Sequence, residues 1–335
     1  MPPGLVVGIT GATGHIGGVL LRALLASEVA EVRSVARRAL APELGPGDGP
    51  RLLHVQADVR SERARQSLQG ADLVFHLAAA VWQRPGRAGL ADMRDINVEG
   101  TRNVLASRPP AVVFASSASV YGAWPDNPVP MDERWSPRPN PQCPYASQKL
   151  AGEYLAMRSQ SRSPVRCAIA RLAAVLGPHA DSRVLAGVRA MRLGVPAVRG
   201  RRQALQWAHE QDAVNALMRL GQALVGDAPG VSGEVFNVST TDWLDEVDVG
   251  RLAGGRVLAL PRRLIMGAAQ IGYRCRLSPF GADRAVFLDG PLAVSSAKFL
   301  QRLGWSARWT SQEVLGAAMA GEWAGRASRN RVTTS

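Results

Sequence analysis

Leu5, Val6, Val7 and Ile9 form a short apolar run, and Val19, Leu20, Leu21, Leu24 and Leu25 follow it at helical spacing. The run predicts a strand covered on both faces; the spaced set predicts an amphipathic helix. The alternation then repeats. Residues 31–37, 51–56, 72–77, 111–116 and 165–170 read as further strands, with helices over 61–68, from Asp95 and from Tyr145. Residues 81–90 read as a loop carrying Trp82, and residues 125–144 as a long proline-rich loop. Strands alternating with helices predict an α/β fold, a doubly wound parallel sheet with helices on both faces. Beyond Pro178 the alternation weakens. Residues 184–191, 213–225 and 262–273 read as helices, 234–238 as a returning sheet strand, and 195–206 as basic and irregular.

The junction of the first strand and helix holds the first candidate chemistry. Gly11, Gly14 and Gly17 recur at three-residue spacing in Gly11-Ala12-Thr13-Gly14-His15-Ile16-Gly17. A turn without side chains lets a pyrophosphate reach the backbone N–H groups, and the positive end of the helix dipole stabilises its charge. The last glycine permits close packing of helix and strand. Gly11, Thr13, Gly14, His15, Ile16 and Gly17 are therefore candidate cofactor-binding residues in a Rossmann-type domain. Where the second strand ends, an acidic residue would accept from a ribose 2′-hydroxyl and select NAD. The chain has Ala36, then Arg37 and Arg38, and a guanidinium pair suits a 2′-phosphate. NADP is the expected cofactor, with NAD the alternative. After the fourth strand, Leu77 is followed by Ala78, Ala79 and Ala80, small enough for a cofactor backbone to lie close.

Composition narrows the classes. Of 335 residues 46% are hydrophobic, enough for a substantial core. No apolar run reaches the roughly 18 residues of a bilayer span, and no signal segment precedes the first strand. A soluble, cytoplasmic protein with no membrane partner is expected. Cys143, Cys167 and Cys275 are widely spaced and the histidines lack ligand spacing, so neither a disulfide framework nor a metal site is expected. The net charge of +13 comes almost wholly from arginines scattered along the chain, which argues against a nucleic-acid partner. Lys149 and Lys298 are the only lysines, and a lysine kept in such a background draws attention to itself.

Lys149 lies one helical turn after Tyr145, so the two share a face. A tyrosine ionises near 10 and is a poor base at neutral pH; bringing it toward 7 requires roughly 4 kcal/mol. One ammonium about 4 Å away, at an effective dielectric of about 20, supplies roughly that much. The ammonium can also bond nicotinamide ribose hydroxyls. Ser117, at the end of the fifth strand, stands on the sheet edge where the cofactor lies; Ser116 and Ser119 are nearby alternatives. Tyr145 would pass a proton to or from a carbonyl or alcohol as hydride moves to or from nicotinamide.

"GATGHIG", "HLAAA", "YASQKLAGE", "RLAAVLGP", "HEQD" and the late "LGW" together resemble the extended short-chain dehydrogenase/reductases, the epimerase/dehydratase family that includes nucleotide-sugar enzymes. The resemblance covers nearly the whole chain and is weakest between Asp242 and Pro291. It implies Ser117, Tyr145 and Lys149 as catalytic residues, Ser117 because it stands five residues before Gly122 as in the family's "SSxxVYG" pattern. It implies that Asp58 and Val59 contact adenine, that Asn97 braces the active-site strands and belongs to the cofactor-binding set, and that Glu153 has a structural role. It also implies a dinucleotide-binding domain over 1–178 with return segments near 207–240. A substrate lobe would come from 179–206 and 241–325, a frayed tail from 326–335, and a homodimer would form through two helices beside the site. Tyr145 and Lys149 would also touch the cofactor, and Ser117 and Ser119 the substrate. A small molecule, first a nucleotide sugar, is the implied substrate. Such enzymes commonly carry a diphosphate-binding arginine where this chain has Leu205; Arg201 and Arg202 are the nearby candidates for that role. A carbonyl reductase or hydroxysteroid-type dehydrogenase with the same catalytic residues, and a non-catalytic dinucleotide-binding protein, are the other readings.

Overall fold

The computed structural model describes residues 1–40, 51–82, 86–162, 165–275 and 281–323. Residues 42–50, whose proline and glycine content reads as a loop, and the tail expected over 326–335 lie outside the described residues.

The first half runs β1 (Val6–Thr10), α1 (His15–Leu25), β2 (Glu31–Ala36), β3 (Arg51–Gln56), α2 (Glu62–Leu68), β4 (Leu73–His76), α3 (Arg87–Arg94), a π-turn (Asp95–Glu99), α4 (Gly100–Leu105), β5 (Ala111–Ser117), α5 (Pro144–Arg162) and β6 (Arg166–Leu172). The second half adds β7 (Ala174–Leu176), α6 (Ser182–Ala190), β8 (Val195–Val198), β9 (Trp207–His209), α7 (Glu210–Val225), β10 (Glu234–Val238), α8 (Glu246–Ala253), β11 (Val257–Leu260), α9 (Arg262–Arg274), α10 (Ala282–Ala285), α11 (Ala297–Leu303) and α12 (Ser311–Ala320).

Seven strands form one parallel sheet in the order β3-β2-β1-β4-β5-β6-β10. The order reverses between β1 and β4, and a crevice opens at the carboxyl ends of such a switch point. The loops after both strands carry the small residues singled out above. Two parallel pairs, β7 with β9 and β8 with β11, extend the structure beyond that edge. The apolar pattern explains the layers: Val7, Ile9, Leu20, Leu21 and Leu24 are fully buried in one cluster with Leu217, Leu220 and Phe236. Each such aliphatic side chain contributes about 1.5–3 kcal/mol by leaving water.

Three expectations differ in extent. α7 starts at Glu210 rather than Ala213, because His209 caps it: its Nδ1 accepts from the Gln211 N–H at 3.2 Å. The loop expected over 81–90 already becomes helical at Arg87, and α3 runs through the π-turn into α4. The segment over 195–206 contains a strand, β8, whose apolar residues have a partner only through β11, some sixty residues later in the chain. No helix among the described residues is long and apolar enough to cross a membrane.

Candidate active site

A cavity of about 1200 Å³ opens along the carboxyl edge of the sheet. Small-molecule sites usually measure roughly 300–1,000 Å³, so there is room for two ligands side by side. Gly11, Thr13, Gly14, His15, Ile16 and Gly17 line one end. Gly11 has φ of +77°, and a Cβ there would sit 2.8 Å from the Ala78 nitrogen. A Cβ on Gly17 would lie 2.1 Å from the Gly11 carbonyl oxygen. Only glycine fits at either position. No side chain caps α1 and its first turn holds no acidic residue, so its N–H groups and dipole face the cavity uncontested. This cradle fits the pyrophosphate of a dinucleotide.

The remaining candidate cofactor residues follow the cavity wall. Leu77, Ala78 and Ala79 line it from β4, and Arg37, Arg38, Asp58 and Val59 from the ends of β2 and β3. Arg37 and Arg38 are exposed, and Arg38 Nη2 donates to the Thr13 carbonyl at 2.5 Å, which brings one guanidinium against the glycine turn. Asp58 is gripped by Arg60 through bonds of 2.9 and 2.8 Å; that bond, against some burial, holds its carboxyl below the usual range. Asn97 does not line the cavity. It is buried, its Oδ1 accepts from Ala80 N–H at 2.7 Å, and its Nδ2 donates to the Ala80 carbonyl and to Gln148 Oε1. It ties the loop after β4 to α5.

Ser117, Ser119, Tyr145 and Lys149 line the centre of the cavity. Ser117 Oγ accepts from Ser119 N–H at 3.2 Å and from Ser119 Oγ at 2.9 Å, leaving its own proton for another acceptor. Ser116 is committed elsewhere: its Oγ donates to Glu153 Oε1 at 2.5 Å, and Glu153 is paired with buried Arg171. That network continues from Arg171 to the Tyr121 hydroxyl, which explains the structural place of Glu153.

Lys149 is held differently from the simple expectation. Its Nζ donates to the Ala115 carbonyl at 2.7 Å and lies 5.9 Å from the Tyr145 ring centre. Burial lowers its pKa to about 8, partly offset by the Glu153 carboxylate. Burial pushes the Tyr145 phenol up to about 12, and the cation that works against this is Arg284, whose guanidinium is 5.3 Å from the ring. In the cofactor-free protein desolvation of the phenolate outweighs the pull of the Arg284 guanidinium.

Beyond the edge lined by Ser117, Tyr145 and Lys149 the wall turns apolar. Val184, Val188 and Met191 face it from α6 and the turn after it, Ile265 and Ala269 from α9, and Leu205, Phe287, Leu288 and Leu292 from intervening segments. Arg201 and Arg202 are exposed and are not among the lining residues. Leu205 does line the cavity, so the position where an arginine would meet a diphosphate presents an isobutyl group.

Two residues escape the sequence reading. Arg284 reaches Tyr145 from α10; its Nη2 donates to the Val81 carbonyl at 2.5 Å and its guanidinium lies 5.1 Å from the Trp82 ring centre. Its Nε is buried without a hydrogen bond, 3.4 Å from Asp283 Oδ2. It comes from the stretch with the weakest resemblance, and one arginine among many carries no local signal. Glu210 is buried between His15 Nε2 at 2.7 Å and His179 Nδ1 at 2.6 Å, joining the glycine turn to α7 and to the segment after β7. Its place in "HEQD" was visible; its partners were not. Among the described residues no group of histidine, cysteine, aspartate and glutamate side chains is arranged to hold a metal ion.

The model of the NAD dependent epimerase/dehydratase family matches residues 7–239. Uncharacterized protein Rv0501 of Mycobacterium tuberculosis is 29% identical over 326 residues, covering 92% of this chain and 81% of its own. Sterol demethylase protein B of Methylococcus capsulatus is 30% identical over 276 residues, covering 78% and 79%. Among solved structures, MoeE5 in complex with UDP-glucose and NAD superposes with a TM-score of 0.71 at 26% identity, covering 96% of this chain and 99% of that one.

Proposed function

The chain belongs to the NAD-dependent epimerase/dehydratase family of nicotinamide-dependent enzymes, and from that premise we propose a dehydrogenase or reductase acting on a secondary alcohol or ketone of a largely apolar, sterol-like molecule. The observation that carries this reading is the wall of the substrate half of the cavity, built from Val188, Met191, Leu205, Ile265, Phe287 and Leu288. Burying apolar ligand surface there is favourable at about 25 cal/mol per Å². A diphosphate against that wall would be desolvated with Arg284, among the described residues, the one arginine lining that half of the cavity. The 30% identity to sterol demethylase protein B supports the same substrate class.

A bound nicotinamide dinucleotide supplies the hydride acceptor or donor. The chain's own groups do the rest. The turn from Gly11 to Gly17 would hold the pyrophosphate, and Arg37 and Arg38 would meet a 2′-phosphate, so NADP is the proposed cofactor. Ser117 Oγ–H donates to the substrate oxygen. Tyr145 Oη gives a proton to that oxygen in reduction and takes one in oxidation. Lys149, held by the Ala115 carbonyl, would offer its remaining N–H groups to the nicotinamide ribose. The apolar wall excludes water from the reacting carbon. Segments 179–206 and 241–325 are the proposed substrate lobe.

A second reading, a nucleotide-sugar epimerase, has its own support in the likeness to MoeE5 in complex with UDP-glucose and NAD. One experiment separates the two. Cofactor-loaded protein is offered steroid 3-alcohols and 3-ketones, with reduced nicotinamide followed optically, and in parallel UDP and UDP-glucose in a melting assay. Turnover of a steroid with no nucleotide shift supports the apolar reading. A nucleotide shift, worth about 2.7 kcal/mol at 100 times the dissociation constant, with no steroid turnover overturns it.

A further inference from the structure

The outer rim of the apolar cavity carries a surface that neither the fold nor the proposed chemistry uses. Leu193, in the turn before β8, is 90% exposed; Leu264 and Ile271 on α9 are 60% and 64% exposed. Leu258 and Leu260, on one face of β11, are 46% and 40% exposed. These residues are contiguous. β11 pairs with β8, and a Cβ on Gly194 would lie 2.5 Å from Leu258 Cδ1, so the Leu193 turn touches Leu258. α9 follows β11 directly, with Pro261 as its N-cap. On α9, Leu264, Ala268 and Ile271 form one stripe, and the neighbouring stripe of Ile265 and Ala269 faces the cavity. Ala268 and Leu260 belong to both surfaces: they are exposed and they line the cavity.

The two segments that carry this apolar strip hold charge of one sign. Residues 189–202 contain five arginines and residues 254–275 contain four, with no aspartate or glutamate in either segment. All of them are exposed. Arg262 is paired with Asp289, and the others make no ion pair among the described residues. The acidic residues of neighbouring α8 are occupied locally: Asp248 pairs with Arg251, and Glu246 accepts from the Gln203 N–H. Exposed leucines and an isoleucine ringed by unpaired arginines, on a short amphipathic helix, complement an anionic lipid surface.

We propose that this face docks peripherally on an anionic bilayer, with Leu193, Leu264 and Ile271 at headgroup depth and the arginines on lipid phosphates. No membrane span is needed for such contact. The docked orientation puts the cavity rim at Leu260 and Ala268 against the lipid, so an apolar substrate could pass from the bilayer to Tyr145 without crossing water. The docking stands on the surface residues alone; only its use in substrate entry rests on the apolar-substrate reading. Vesicle binding and steroid turnover can therefore succeed or fail separately.

The test is flotation of the full chain with phosphatidylcholine vesicles, with and without phosphatidylglycerol at a ratio of roughly three to one. The protein should float with the anionic vesicles, and each arginine near the surface should contribute about fivefold to partitioning. Binding should fall when salt near 1 M shortens the screening length to about 3 Å. The triple variant Leu193→Gln, Leu264→Gln, Ile271→Gln should partition at least about tenfold less well, since each change removes apolar surface from the interface. Arg256→Ser, Arg263→Ser, Arg274→Ser should lose the preference for anionic lipid. Unchanged melting temperature and dinucleotide affinity confirm that the variants are folded. Equal flotation with neutral and anionic vesicles, or variants that float like the parent, overturns the proposal. So does a vesicle-free dimer that the triple variant converts to monomer, which would make this face an interface between copies of the chain.

Discussion

His15 and Glu210 are 195 residues apart in the chain and 2.7 Å apart in space. His15 opens α1 on the glycine turn, and Glu210 opens α7; His179 bonds the other carboxylate oxygen at 2.6 Å. One buried carboxylate thus joins the pyrophosphate cradle to the chain leading into the apolar cavity.

The first prediction concerns this bridge. Burial opposes ionisation of Glu210, but hydrogen bonds from His15 and His179 outweigh it and hold its pKa below the ordinary 4.5. A depressed carboxylate pKa stabilises the folded state above the unfolded pKa, and the contribution is lost as pH falls through the folded one. Glu210→Gln should cost about 1–3 kcal/mol at neutral pH and flatten the acid limb of the stability curve. It should also weaken dinucleotide binding. Melting curves between about pH 3 and 7 check this; an unchanged acid limb would show that the bridge contributes nothing.

The second concerns catalysis. Tyr145→Phe removes only the phenol oxygen and should lower turnover by about 100-fold or more while leaving dinucleotide affinity nearly intact. Lys149→Met should damage both, because Nζ, anchored on Ala115, is the proposed ribose donor. The fold should tolerate this change, since burial already penalises the ammonium. Dissociation constants and single-turnover rates separate the two effects, and near-normal turnover in Tyr145→Phe would end the mechanism.

The third follows the phenol. In cofactor-free protein Tyr145 should ionise only near 12, because burial disfavours the phenolate. It is therefore a proton donor at neutral pH, and the alcohol-oxidising direction should speed up as pH rises. Arg284→Ala removes the cation 5.3 Å from the ring and should raise the phenol pKa further. Ultraviolet titration, with Tyr145→Phe as the blank, reads the shift; a downward shift in Arg284→Ala would show that the guanidinium does not favour the phenolate.

The fourth concerns cofactor choice. If Arg37 and Arg38 meet a 2′-phosphate, NADP(H) should bind about 10- to 100-fold more tightly than NAD(H), the equivalent of one charge-assisted contact of about 1.5–3 kcal/mol. Arg37→Asp with Arg38→Ala should erase or reverse the preference. Equal affinity of the parent for both cofactors would leave the arginines as solvated surface.

Much of the fold lay open in the residues because it is set by short-range pattern. Buried apolar runs mark the strands, 3.6-residue spacing marks the helices, and the glycine triplet marks the one turn where a Cβ cannot fit; β10 was legible over its full length. Tyr145 and Lys149 were legible for the same reason, since one turn of helix decides that they share a face.

What the tertiary structure decided depends on desolvation and on partners distant in the chain. In the cofactor-free protein burial raises the Tyr145 phenol more strongly than Arg284 lowers it. Asn97 turns inward to Ala80 and Gln148 instead of lining the cavity. Arg201 and Arg202 stand outside the cavity because the turn after β8 projects them into water, while Leu205 turns in. Arg284 and Glu210 acquire meaning only through residues about 140 and 195 positions away, and no local pattern encodes such a meeting. The sequence by itself determined the sheet, the glycine cradle and the pairing of Tyr145 with Lys149 on one helix face; which charges face the cavity was decided by how the later segments fold back over that edge.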